Sequence, residues 1–135
     1  MAKCFMFAAL LIAAVMLYAG CGTTNHDCSL TAFSISPSTA TADHTAAAPG
    51  NSVPFFAGPV LPKGCVVAIP ACVNCWGQTW TVTDSVNVSI SNNPSDNGTA
   101  TCLGATSGAV TVTASLSVAG KSTRTVTGSA SLTCK

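Results

Sequence analysis

The chain contains no glutamate. Its acidic residues are four aspartates, set against five lysines and arginines, and charged residues make up only 7% of its 135 residues. A formal net charge of +1 leaves no basic stripe from which to build a nucleic-acid or polyanion footprint. Solubility has to come from Ser, Thr, Asn and Gly. Helix formers are scarce after position 22, whereas Thr and Val are abundant, which favours β structure. The short motifs of catalysis and nucleotide binding are also missing: no nucleophile elbow, P-loop, HExxH or GxGxxG occurs. The two histidines, His26 and His44, fall in a tether and a loop and read as solvated side chains. The chain is therefore expected to be non-enzymatic and to bind no cofactor.

One long apolar run is present, and it lies at the start. After Met1-Ala2-Lys3, residues 4–19 read CFMFAALLIAAVMLYA. This fits the apolar region of a signal peptide better than a membrane span, being short and weakly flanked. The run ends in Leu17-Tyr18-Ala19-Gly20-Cys21, and small residues immediately before a cysteine resemble the bacterial lipobox. Tyr18 stands where an aliphatic residue is usual, so plain secretion with cleavage near Gly20 is the alternative. The resemblance implies that Cys21 is lipidated and becomes the first residue of the mature chain. Two or three acyl chains would then hold it on a membrane, each buried CH₂ contributing roughly 0.8 kcal/mol. Gly22 follows rather than Asp, which by the same resemblance implies outer-membrane sorting. Residues 1–20 are thus expected to form a signal-peptide helix, residues 21–27 a lipidated cysteine with a flexible tether, and residues 28–135 the folded domain.

Beyond the tether the dominant pattern is alternation. In Val110, Val112, Ala114, Leu116 and Val118, every second residue is apolar, with Thr and Ser between. Val126, Ala130, Leu132 and Cys134 repeat the pattern, and Ala119-Gly120-Lys121 supplies the turn. Period two with one apolar face predicts a long β-hairpin over 108–134. Shorter strands are predicted over 28–36, 38–42, 53–57, 79–83, 86–91 and 99–103, with a further short one over 66–69. Pro54 restricts the 53–57 strand to an edge or a start. Residues 59–77 read as a long loop, and Asn92 to Gly98 as a dense turn. Phe55, Phe56 and Trp80 are assigned to the core, with Trp80 on a central strand. Alternation this regular, with eight cysteines, argues against a disordered polar chain. Strands and turns at this spacing argue for a two-sheet sandwich.

The order of ISPSTATA, GNSVPFFA, WTVTDSVNVSISN and NGTATCLGATSGAVTVTAS resembles the bacterial Ig-like domains of group 2 over about residues 31–132. The resemblance implies an all-β, Ig-like antiparallel β-sandwich of about seven short strands. The hairpin would then supply the last two strands and face Trp80 across the core. The loop 59–77 is longer here than the family pattern and carries cysteines.

Of eight cysteines, setting aside Cys4 and Cys21 leaves Cys28, Cys65, Cys72, Cys75, Cys102 and Cys134. An even set in an exported chain implies three disulfides, with fifteen possible connectivities. The Ig-like topology implied by the resemblance favours Cys102–Cys134. It would also pair Cys28 with one of Cys65, Cys72 and Cys75, the other two pairing with each other. The alternatives are a zinc site of Cys65, Cys72 and Cys75 with His44 or His26, and a redox pair at Cys72 and Cys75. Asp84, Asp96, Asn92, Asn93 and Asn97 offer oxygen ligands for calcium, although turn chemistry accounts for them equally. Trp76 either binds a ligand from the loop or packs on a bridge.

These readings converge on an exported lipoprotein of the cell envelope, in the outer membrane, with secretion or a periplasmic location as the alternative. Its Ig-like domain would have a structural or adhesive role. Its partners would be the membrane, through the anchor, and an envelope protein or glycan, with no nucleic acid. The rival readings are a small ligand- or glycan-binding module using the loop 63–77, and a redox or metal protein using Cys72 and Cys75.

Overall fold

The structure, a computed structural model, describes residues 29–65, 76–119 and 123–135. The signal-peptide helix expected over 1–20 and the lipidation expected at Cys21, together with Cys28, Cys72, Cys75 and the short strand expected at 66–69, lie outside the described residues.

The described chain is all-β. Nine strands follow in order: β1 Ala32–Ser36, β2 Thr39–Ala42, β3 Ser52–Pro54, β4 Phe56–Val60, β5 Thr79–Val82, β6 Val88–Ile90, β7 Thr99–Cys102, β8 Val110–Val118 and β9 Arg124–Cys134. They form sheets ordered β2-β9-β8-β5, β3-β7-β6 and β1-β4. Every pairing is antiparallel except β2 with β9. Several mostly antiparallel sheets enclosing one apolar cluster are consistent with a β-sandwich.

The hairpin is the longest element. Its register runs from Val110 opposite Leu132 to Val118 opposite Arg124. Val112, Ala114, Ala130, Leu132 and Cys134 are buried, and the Thr and Ser side chains between them face outward. The apolar face of β9 has one gap, at Gly128. A Cβ there would stand 2.3 Å from the Phe33 carbonyl oxygen. β1 therefore crosses β9 too closely for any side chain, and glycine is the residue that permits the approach.

Several expectations need correction. The strand expected over 53–57 is two strands in different sheets. β3 pairs with β7 and β4 with β1, and they change partners at Phe55. Alternation continues through the change, so Phe55 is fully buried while Phe56 is 42% exposed. Neighbouring residues of a strand point to opposite faces, so only one of the two can be core. The break expected at Pro37, which has no N–H for a ladder, is present. β1 joins β4 and β2 joins β9. The division at Phe55 is the one not expected, and with it the described residues hold nine strands.

Trp80 fills the core at 1% exposure, but β5 is an edge strand rather than a central one. It lies beside the hairpin in the same sheet, with Trp80 opposite Ala114, so it does not face the hairpin across the core. What the indole does meet is Gly98, just before β7: a Cβ there would lie 3.0 Å from the ring and 2.4 Å from the Phe55 carbonyl oxygen. Gly98 has φ +87°, a conformation that L side chains rarely adopt. Asn92 covers the open edge of β5. Its Oδ1 accepts from Trp80 N at 2.7 Å, and its Nδ2 donates to Trp80 O at 3.0 Å. One side-chain amide thus takes the place of a neighbouring strand. Val86, expected within a strand, is 81% exposed in the turn before β6.

Candidate functional site

The most elaborated cluster among the described residues is the end of the fold where β9 stops. Cys102 closes β7 and Cys134 closes β9, so the disulfide joining them ties one sheet to another. Their Cα atoms are 5.7 Å apart and both side chains are 2% exposed. The bridge spans 32 residues, for which chain entropy gives roughly 3–4 kcal/mol of stabilisation. Hydrogen bonds repeat the fastening. Thr106 N donates to Cys134 O at 3.0 Å, and Cys134 N donates to Thr106 Oγ1 at 3.1 Å. Lys135 N donates to Ala42 O at 2.9 Å, and both His44 N and His44 Nδ1 contact the Lys135 carbonyl.

Beside this cluster, Asp43 Oδ1 accepts from the hydroxyl and backbone N–H of Thr45. These bonds, the side-chain one foremost, hold the Asp43 carboxyl below its usual value of 3.8.

The opposite end has fastenings of its own. Thr31 donates to Val60 O through N at 2.9 Å and through Oγ1 at 2.7 Å. Arg124 Nη2 donates to Leu30 O. Cys65 follows β4 here and is a disulfide cysteine. The pairings expected for Cys28, Cys72 and Cys75, and the redox reading of Cys72 and Cys75, lie outside the described residues. Trp76 is half-buried against the core.

The two ends rule out one expected grouping. His44 stands at the Cys134 end and Cys65 at the other, separated by the length of β9. That strand has 11 residues, roughly 33 Å of extended chain, so His44 cannot share a metal with Cys65. His26 lies outside the described residues. The oxygen ligands grouped for calcium are also dispersed. Asp84 precedes β6 and Asp96 follows it. Asp84 Oδ1 accepts from the backbone N–H of Val86 and Asn87, and its Oδ2 accepts from Asn87 Nδ2 at 2.8 Å. The Asn87 bonds, the side-chain one foremost, hold the Asp84 carboxyl below its usual value. Asp96 Oδ1 accepts from Ser91 Oγ at 2.7 Å, and Asn92 is committed to Trp80.

Among the described residues, two shallow grooves can be placed on the outer surfaces. One, of about 490 Å³, crosses β2 and β9 and is lined by Thr39, Thr41, Ser131 and Thr133 with two alanines. Its walls carry hydroxyls and methyls, with neither charge nor aromatic ring. The other, of about 300 Å³, lies where Phe56 and Pro54 meet the turn bearing Pro94 and Asp96. Sequence reasoning missed it, because Phe56 was assigned to the core and Asp96 to turn chemistry. The exact alternation of Pro54, Phe55, Phe56 and Ala57 was the signal that could have found it. Compared with known proteins, the sequence matches no family model and no curated protein.

Proposed function

We propose that this chain is a non-enzymatic, exported lipoprotein of the cell envelope whose Ig-like domain has a structural or adhesive role. The observation that carries this reading is the Cys102–Cys134 bridge between two sheets. Structural disulfides form and persist in oxidising compartments, and they add most to small domains with limited cores. The Ig-like assignment draws support from the strand order. The N-terminal segment divides between two sheets, and the last strand pairs with both β2 and β8. Attachment through Cys21 rests on the resemblance of residues 17–21 to a lipobox. A ligand-binding role for Trp76 has less support, because that side chain packs half-buried on the core.

Intact-mass analysis of the protein recovered from a membrane fraction, without reductant, tests this reading. A diacylglyceryl adduct on Cys21 and three disulfides are expected. A soluble chain with free thiols or bound zinc would overturn it.

A further inference from the structure

We propose that the groove between Phe56 and Asp96 is a binding site for one residue of a neutral glycan. It lies apart from the Cys102–Cys134 end, and the inference does not depend on lipidation or export. Three observations converge on it.

The first is the ring. Phe56 is 42% exposed, and alternation along β4 points it away from the core. Pro54, two residues earlier, and Pro94 from the turn beyond β6 lie in the same groove. An aromatic ring between rigid pyrrolidines makes a flat apolar floor of the kind that takes the C–H face of a pyranose. Prolines lose little side-chain entropy when covered.

The second is the polar wall. Asp96 Oδ1 is occupied by the hydroxyls of Ser91 at 2.7 Å and Ser95 at 3.4 Å. The bond to Ser91 fixes the carboxylate, while Oδ2 accepts no hydrogen bond from a described residue. Thr99 brings a hydroxyl to the same groove. A fixed carboxylate oxygen beside a hydroxyl suits the paired donors and acceptors of adjacent sugar hydroxyls. The backbone holds this wall in place: Thr99 N donates to Asp96 O and Phe55 N to Gly98 O, each at 2.9 Å.

The third is charge and size. Asp96 is the one charged residue lining the groove, so phosphorylated, sulfated or uronic sugars would be repelled and neutral ones are not. About 300 Å³ is the lower end of small-molecule sites and matches a single sugar ring. Pro54, on the edge strand β3, offers no N–H to an added peptide strand. A polyproline ligand needs a groove lined by several aromatics, and this one has a single ring.

The experiment titrates isotope-labelled protein separately with the methyl glycosides of glucose, galactose, mannose and N-acetylglucosamine, read by amide chemical shifts. Saturable shifts confined to residues 54–56 and 94–99, in at least one titration, are expected. Phe56→Ala and, independently, Asp96→Ala should each weaken that binding at least tenfold while leaving the rest of the spectrum unchanged. Three outcomes overturn the proposal: no saturable shift with any of the four, shifts located elsewhere, or undiminished binding by both variants. Saturation of the groove by a proline-rich basic peptide when all four sugars fail would also overturn it, assigning the groove to a protein partner.

Discussion

The two ends of the fold are fastened differently. At the Cys134 end a disulfide, a reciprocal pair of backbone and hydroxyl bonds through Thr106, and the contacts of Ala42 and His44 with Lys135 act on the same few residues. At the Leu30 end the described fastenings are Thr31 on Val60 and the Arg124 guanidinium on the Leu30 carbonyl. The first end joins strands from different sheets by a covalent bond. The second carries these hydrogen bonds at the solvent boundary, where water competes for them, beside Cys65, which is itself a disulfide cysteine. Among the described residues the last strand is held covalently at its finish and by hydrogen bonds at its start, so its start is expected to exchange first.

The comparison breaks most directly with Cys102→Ser and Cys134→Ser together. Stability should fall by roughly 3–4 kcal/mol, measured by denaturant unfolding, and the protection of amide hydrogens at the two ends should become similar. An unchanged unfolding midpoint would mean that the bridge stabilises nothing. Next in size is Gly128→Ala, at the crossing midway along β9. The added Cβ cannot occupy its site without moving Phe33, and a loss of about 1–3 kcal/mol is expected. A change below the error of the melt would show that β1 does not press on β9. Thr106→Val removes the acceptor for Cys134 N and should cost about 1–2 kcal/mol, with faster hydrogen exchange at Cys134 and none at Thr31. At the other end, Arg124→Met should cost at most about 1 kcal/mol and accelerate exchange around Thr31 alone. A larger loss than for Thr106→Val would reverse the ranking of the two ends.

The smallest effect concerns acid. The Asp43 carboxyl is held below its usual value of 3.8 by Thr45. A depressed carboxylate stabilises the fold above its unfolded value, and that contribution is lost as pH falls through the folded one. Stability at the Cys134 end should therefore decline only below about pH 4. Asp43→Asn should flatten that decline in thermal melts, and an identical acid limb in the variant would remove the role of Thr45.

Legibility along the chain followed the range of the interactions. The hairpin could be read because period-two alternation over nine and eleven residues is a local record of one buried face. Trp80 was recognisable as core for the same reason, whereas Phe55 and Phe56 were both assigned there although alternation allows only one. The changes of sheet at Pro37 and Phe55 could not be read, since partner choice depends on strands distant in sequence. The breadth of the calcium grouping had a related cause. Asp84, Asn92 and Asp96 are near in sequence, yet β6 separates two of them and the edge of β5 claims the third.

By itself, then, the sequence determined that the chain makes strands, which face of the long hairpin points inward, and where most of the turns fall. Those properties follow from side-chain chemistry at spacings of one to four residues. Only the tertiary structure decided which strands pair, that Cys102 meets Cys134 across two sheets, and that Gly98 and Gly128 are required because Phe55, Trp80 and Phe33 come too close for a side chain. These are contacts between distant segments, set by the single way in which the amphipathic strands can bury their apolar faces together.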